Sequence, residues 1–398
     1  MKRINLKKAS VARADTIRTI NRQIVLNYVR ERSPISRAEI AHETELQRST
    51  ISLIVEELKA DGLVEEIDGE STGGRPPLLL RLRASGPVAV GVDLGTAQTV
   101  VATSDLAGRV LEQEEFETAP DAEETLDRMI RVVSKLVKKN RGTVEGVGVS
   151  LPGLVDYETG TALFVPHFKW RDWAVARGIS EATGLPVTVD NDANAVALAE
   201  LWFGRPEVRE VRDFIMVLVE SGLGTGVVFD GQVYRGEAGA AGEFGHMTIG
   251  RDAPVACASG SRTCWEAFAS ERAALARYAA AGGGRNGRRP GFDELMSRAL
   301  GGDDDAARDA RVETARYLGV GMANLIKGLS PEAVILGGRI ARSWTLIGDE
   351  LTAAVEENSL CRGLPAPRIF VSSLGEQPRL RGALSLVLAG KFASALTT

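Results

Sequence analysis

Apolar residues recur at helical spacing at Ile17, Ile20, Ile24, Val25, Tyr28 and Val29. This predicts an amphipathic helix over Asp15–Glu31, with Asp15 as a candidate cap and Ser33-Pro34 as its stop. Ser36-Arg-Ala-Glu39 has the Ser-x-x-Glu form of a capping box and predicts a short helix through Ile40 and Ala41. A third helix is expected over Gln47–Leu58, burying Ile51, Ile54, Val55 and Leu58 and ending at Asp61-Gly62. Leu63–Ile67 and Leu78–Leu82 read as two strands, with Gly73-Gly-Arg-Pro-Pro77 as the tip between them.

From Pro87 the texture changes. Residues 88–111 read as strand, glycine turn, strand, a turn at Ala107-Gly108 and a third strand; a helix near Ala122–Lys139 and a buried strand Val144–Ser150 follow. Residues 214–234 repeat the three-strand pattern, and a helix ending near Lys327 leads to the strand Ala333–Leu336 before Gly337-Gly338. Two copies of one unit predict two related lobes facing a cleft. That is the duplicated ribonuclease-H-like fold of actin, the heat-shock ATPases and the sugar kinases. The fold class is therefore α/β, in three segments: a head over 1–83, a first lobe over 84–205 and a second lobe over 206–398. The C-terminal helix is expected to return to the first lobe.

Three helices, a two-stranded wing and a basic tip in this order predict a winged helix-turn-helix. Gln47, Arg48, Ser49, Thr50 and Ser52 form the first turn of its last helix, where short hydroxyls and a guanidinium can approach phosphates and base edges. Arg75, between glycines and prolines, suits a narrow minor groove. A three-helix bundle that binds protein is the competing reading of the same pattern.

Composition refines this only slightly. The 398 residues include 44% apolar and 25% charged positions and 43 glycines, as expected of a globular chain rich in tight turns. Residues 1–83 carry a small excess of Lys and Arg, while the remainder is acidic, giving a net charge of −5. A basic head on an acidic body suits a protein that sets only its head on phosphates. No apolar run is long enough to span a bilayer and the N-terminus lacks a signal-peptide core, so a cytoplasmic location without membrane contact is expected. Cys257, Cys264 and Cys361 are too few for a disulfide framework.

An ordered set of motifs narrows the body. They are Asp93-Leu-Gly-Thr, Leu151-Pro-Gly-Leu-Val-Asp156, Val189-Asp-Asn-Asp-Ala-Asn194, the run Tyr234–His246, Cys257-Ala-Ser-Gly-Ser-Arg-Thr-Cys-Trp-Glu266 and Val334-Ile-Leu-Gly-Gly338. With this set the chain resembles the ROK family (repressors, open reading frames and kinases) over essentially its whole length, and specifically its xylose- and N-acetylglucosamine-type regulators. The resemblance implies a sugar site at Asn191, Asp192, Glu243, His246 and Glu266, with Asp192 where the kinases keep their general base. Carboxylates, an amide and an imidazole match the donors and acceptors of a carbohydrate. His167 and Lys169 depart from the family's pattern and are candidates to tune ligand choice.

Kinases of the family carry Asp-x-Gly-Gly-Thr-Lys in the first hairpin, whereas this chain reads Asp93-Leu-Gly-Thr-Ala-Gln98. In the second hairpin Glu220-Ser221-Gly222 stands where Gly-Thr-Gly is usual, unless the match slides to Gly224-Thr-Gly226. A carboxylate there would repel a triphosphate. No ATP and no catalytic role are therefore expected. The resemblance also raises zinc, through His246, Cys257 and Cys264, although Ser259 replaces one thiolate ligand. The expected function is a sugar-responsive repressor that binds operator DNA as a homodimer or homotetramer. A sugar effect would travel from lobe closure through the linker near Arg83–Pro87 to the paired heads. The alternatives are an ATP-dependent sugar kinase with an accessory head and a scaffold governed by a partner protein.

Overall fold

The structure, a computed structural model, describes residues 14–70, 76–140, 142–284, 290–358 and 367–393. The head comprises α1 (Ala14–Arg32), β1 (Ile35–Ser36), α2 (Arg37–Thr44), α3 (Arg48–Ala60), β2 (Val64–Asp68) and β3 (Leu78–Leu82). The capping box forms as predicted. The Glu39 N–H donates to Ser36 Oγ at 3.2 Å, and the Ser36 N–H donates to Glu39 Oε2 at 2.8 Å. A cap of this kind contributes about 1 kcal/mol. Asp15 is a correction: it lies within α1, which is described from Ala14, and not ahead of the helix as a cap would.

Ile51, Ile54, Val55 and Leu58 are buried against Val25, Leu26 and Val29 of α1 and Leu80 of β3. β2 and β3 pair antiparallel from Val64↔Leu82 to Asp68↔Leu78, and β1 adds to the other edge of β3. The predicted tip at Gly73–Arg75, and with it Arg75, lies outside the described residues.

The first lobe runs β4 (Val88–Leu94), β5 (Gln98–Ser104), β6 (Val110–Glu117), α4 (Ala122–Lys139) and β7 (Val144–Leu151). A small sheet of β8 (Leu154–Asp156), β9 (Thr161–Val165) and β10 (Trp170–Trp173) follows, then α5 (Val175–Thr183), β11 (Val187–Asn191) and α6 (Asp192–Phe203). After the short α7 (Pro206–Arg209), the second lobe begins with β12 (Phe214–Val219), β13 (Leu223–Phe229) and β14 (Gln232–Val233). Helices α8 (Trp265–Ala269), α9 (Glu271–Ala280), α10 (Phe292–Gly301) and α11 (Asp305–Leu329) come next. The lobe closes with β15 (Ala333–Gly337), α12 (Trp344–Asn358), β16 (Arg368–Val371) and α13 (Pro378–Phe392).

The two large sheets have the same order, β11-β7-β4-β5-β6 and β16-β15-β12-β13-β14. In each, an antiparallel meander is extended by two parallel strands. This is the two-lobed α/β body that the repeat predicts. Central strands β4 and β12 are buried at every position, which is why their sequences are apolar runs without alternation. On α4, Leu126, Met129, Val133 and Leu136 give the spacing that lays one face on the first sheet.

Helices α6 and α13 hold equivalent places after the last strand of each sheet and cross each other between the lobes. Gly382 makes the crossing close: a Cβ there would stand 2.8 Å from the Ala195 carbonyl carbon and 2.9 Å from Val196 N. α13 also packs on the first sheet, where Gly91 leaves room for Leu384.

Both helices end beneath the head. Arg30 of α1 lies over Trp202, Phe203 and Phe392, with its guanidinium carbon 4.9, 5.7 and 4.7 Å from the ring centroids. Asn27 Nδ2 donates to the Phe392 carbonyl at 2.8 Å, and one apolar cluster runs from Val25 and Leu26 to Leu384, Leu388 and Phe392. Burial disfavours the charge of Arg30, which Glu31 and the ring faces offset. Among the described residues no helix is long and apolar enough to cross a membrane.

Candidate functional site

A cavity of about 420 Å³ lies between the lobes. Asn191 and Asp192 enter it from the junction of β11 with α6. The Asn191 side chain caps that helix, accepting from Ala193 N and Asn194 N, and its amide donates to the Gly153 carbonyl. Its polar atoms are thus largely committed to fixing the turn, which holds Asp192 at the first position of α6. Glu243 and His246 come from the 3₁₀ turn Glu243–His246, with His246 Nε2 3.8 Å from Glu243 Oε2. Glu266, on α8, accepts from Ala258 N at 3.1 Å and from Arg272 Nη2 at 2.8 Å. All five residues named from sequence line this one cavity. His167 lines it as well; Lys169 is exposed and is not among the lining residues.

The inner end of the cavity is formed by the two glycine hairpins. The turn between β12 and β13 is Glu220-Ser221-Gly222, closed by the Glu220 N–H donating to the Gly222 carbonyl at 2.9 Å. Gly224-Thr-Gly226 lies within β13 and pairs with β12, so the sliding alignment is not the one the fold adopts. Between the hairpins stands Arg379 from the first turn of α13. Its Nη1 is 3.1 Å from Glu220 Oε2, and its Nε is 3.4 Å from Asp93 Oδ1, an ion pair without hydrogen-bond alignment.

Burial pushes the Asp192 carboxyl up to about 7; Arg379 opposes this, and Glu220 and Asp93 reinforce it. Asp93 rises to about 6 for the same first cause, with Arg379 again opposing and Glu220 reinforcing. Burial also works against the charge of Arg379, but Asp93, Glu220, Asp192 and Glu271 outweigh it and hold the proton in place. Burial raises Glu271 to about 7, although Arg339 pairs with it at 3.0 Å. Glu243 is raised too, by burial first.

Beside the outer end, His246, Cys257 and Cys264 bring their ligand atoms within 4.8 Å of one another. Cys257 Sγ is 3.3 Å from Cys264 Sγ and 2.9 Å from Ser259 Oγ. Desolvation raises the Cys257 thiol, but hydrogen bonding, to Ser259 and then Cys264 above all, brings it down to about 7. His246 Nδ1 is buried without a hydrogen-bond partner. An orphaned imidazole nitrogen beside two thiols is a donor set that fits a zinc ion, with a fourth place for Ser259 or water. Cys361 lies outside the described residues.

The head presents a second candidate surface. Gln47, Arg48 and Ser49 are exposed, and Thr50 and Ser52 are half-buried. Gln47 is the N-cap of α3 without a side-chain cap bond, so the first-turn amides are open to an anion. Ser52 Oγ donates to the Arg48 carbonyl, which commits its proton. Leu53, 56% exposed on the same helix, was not foreseen.

Arg379 was not foreseen either, nor was the Arg272–Glu266 pair. A signal for Arg379 exists in retrospect. Pro378 starts a helix and a cation follows in its first turn, where the macrodipole disfavours positive charge unless a carboxylate is close.

Residues 89–389 match the model of the ROK family. The chain belongs to the ROK family. It is 33% identical to the xylose repressor of Caldicellulosiruptor bescii, over 94% of this chain and 96% of that protein. The crystal structure of a ROK family transcriptional regulator, a homologue of the E. coli MLC protein, superposes with a TM-score of 0.78 at 28% identity, covering 95% of this chain and 97% of that one. The ROK family glucokinase of Streptomyces griseus, solved with glucose and AMPPNP, gives 0.67 at 30% identity. It covers 98% of its own length but only 75% of this chain. The regulator's likeness therefore extends over a part of this ROK protein that the kinase lacks.

Proposed function

We propose that this ROK protein is a sugar-responsive transcriptional repressor. Residues 1–83 form a winged helix-turn-helix that reads operator DNA, and the lobes 84–205 and 206–398 form a sensor whose cavity binds a sugar through Asn191, Asp192, Glu243, His246 and Glu266. The observation that carries this reading is the path of α6 and α13: both start at the cavity and end under Arg30 of the head. A ligand that shifts one lobe against the other has a direct mechanical route to the head, beside the linker near Arg83–Pro87. Likeness to a named xylose repressor and to a regulator structure over almost the whole chain supports the same reading.

On DNA, Arg48, Ser49 and the open amides of α3 meet phosphates and base edges, Gln47 and Thr50 flank them, and Leu53 suits a thymine methyl group. Arg75, a candidate from the sequence alone, suits the minor groove. Dyad operators call for a homodimer or a homotetramer. Zinc, held by His246, Cys257 and Cys264, would tie the loop after His246 to α8. Metal analysis of the purified chain should give one zinc per protomer, lost in Cys264→Ser.

The test is fluorescence anisotropy on palindromic segments upstream of carbohydrate genes at moderate salt, with and without sugars. Specific binding weakened or strengthened by a sugar is expected, and Arg48→Ala should reduce affinity at least tenfold. No specific segment at any salt would sink the repressor reading. Asp192, at the start of α6 with its carboxyl near neutrality, favours one second reading, a sugar kinase, because that is where a general base works best. ADP release over a sugar panel, abolished in Asp192→Asn, would establish it.

A further inference from the structure

We propose that Arg379 is a built-in counter-ion that closes the inner end of the cavity and makes it select unphosphorylated sugars over sugar phosphates and nucleotides. The sugar part of this statement rests on the reading above; the exclusion of phosphate does not.

Two glycine hairpins facing each other across a cleft offer open backbone to a phosphate chain. Here the space between them is filled by the protein itself. The Arg379 guanidinium bridges Asp93 of the first hairpin and Glu220 of the second, so one cation ties together turns from both lobes. A Cβ on Gly95, at the turn of the first hairpin, would stand 3.3 Å from Arg379 Nη2, so the small residue there admits the guanidinium. Arg379 is no free anion receptor: its charge is already shared by Asp93, Glu220, Asp192 and, more remotely, Glu271, which Arg339 pairs from the other side.

The lining of the cavity as a whole has the same character. Asp192, Glu220, Glu243 and Glu266 line it against Arg272 and Arg379, and Arg272 is itself bound to Glu266. A sugar's hydroxyls match such a lining because carboxylates accept their protons. A phosphate ester at the hydroxyl nearest Asp192 would bring close to two negative charges beside three carboxylates that one guanidinium already holds. Binding it would require the charges to be neutralised in some other way or the Arg379 bridge to break.

The experiment is calorimetry at pH 8 on the full chain with D-xylose, D-glucose and N-acetylglucosamine, each beside its terminal phosphate ester, and with inorganic tripolyphosphate. It is run on the wild type and on Glu220→Gln, which keeps the side-chain volume and removes one charge. Thermal melts establish that both proteins are folded, and Glu220→Ser serves as the second variant. The expected result is a free sugar bound at least about tenfold more tightly than its ester, no tripolyphosphate binding by the wild type, and a smaller gap with measurable tripolyphosphate binding in Glu220→Gln. An ester bound as tightly as its sugar, or tripolyphosphate bound by the wild type, overturns the proposal. If none of the sugars or esters binds while the tripolyphosphate arm behaves as expected, the phosphate exclusion by Arg379 stands and the sugar-sensor reading falls.

Discussion

Helices α6 and α13 are counterparts in a duplicated fold, and their differences lie in their first turns and last rings. α6 opens on Asp192, whereas α13 opens on Pro378 and carries Arg379 next in its first turn, so counterpart helix starts aim opposite charges into one cleft. At the other end the counterparts converge: Trp202 and Phe203 finish α6, Phe392 finishes α13, and all three rings hold Arg30. Duplication has preserved two rods with a shared crossing while the chemistry at their tips has diverged. The difference teaches that the fold fixes where a signal can travel, and single side chains at helix starts decide what can set it off.

The largest effect is expected at the convergent end. Phe392→Ala removes a buried ring that touches Trp202, Phe203 and Arg30, and should cost about 4 kcal/mol in urea denaturation. Hydrogen exchange over α1 should rise with it; unchanged protection there would break the claim that the two rods hold the head. At the divergent end, Arg379→Met leaves Asp93 and Glu220 without their cation. Because 23% of the Arg379 side chain faces open space, the full cost of breaking a buried pair is discounted to about 2 kcal/mol at pH 8. The loss should shrink by pH 5.5 as Asp93, whose folded-state value stands at about 6, takes up its proton, and a pH-independent loss would contradict the charge argument.

Gly382→Ala tests the crossing itself. The new methyl meets the backbone of α6 at Ala195 and Val196, so about 1–3 kcal/mol of destabilisation is expected, with weaker coupling between sugar and DNA binding. A further effect is in pH dependence. Asp192 and Asp93 have folded-state values of about 7 and about 6, above the roughly 3.9 of an unfolded aspartate. The folded state therefore holds more protons than the unfolded one between about pH 4 and 7. Their contribution to stability falls as pH rises through that window and levels off above it. Asp192→Asn should flatten the melting-temperature profile between pH 5 and 8; an unaltered profile would locate the proton uptake elsewhere.

What could be read from the sequence was local or repeated. The capping box at Ser36 and Glu39 spans four residues and is written in side-chain chemistry. The two lobes were legible because the strand–glycine–strand pattern occurs twice; the sheets then account for the apolar runs of β4 and β12, which are buried at every position. The cavity residues on α6 and the Glu243–His246 turn came through resemblance, since nothing in their spacing brings them together. Arg379 escaped because its partners sit on turns of two other elements far away in the chain. Arg30 escaped for a related reason. A cation in the last turn of a helix satisfies the macrodipole and reads as solvated, and only folding reveals three aromatic rings around it. The small sheet β8–β10 was hidden by strands of three to five residues, too short for alternation to register.

The contact between Asn27 and Phe392 joins positions 365 residues apart, and that separation has a meaning in time. The head leaves the ribosome first, while the helix that anchors it is made near the end. At roughly 5–20 residues per second, the interval is on the order of 20 to 70 seconds. Throughout it α1 has an uncovered apolar face, and the head is tethered only by its linker. A chain interrupted before α13 therefore keeps its DNA-facing helix but not the connection that makes that helix answer to the cavity. Premature stops early in α13 are then expected to yield deaf repressors more often than absent ones.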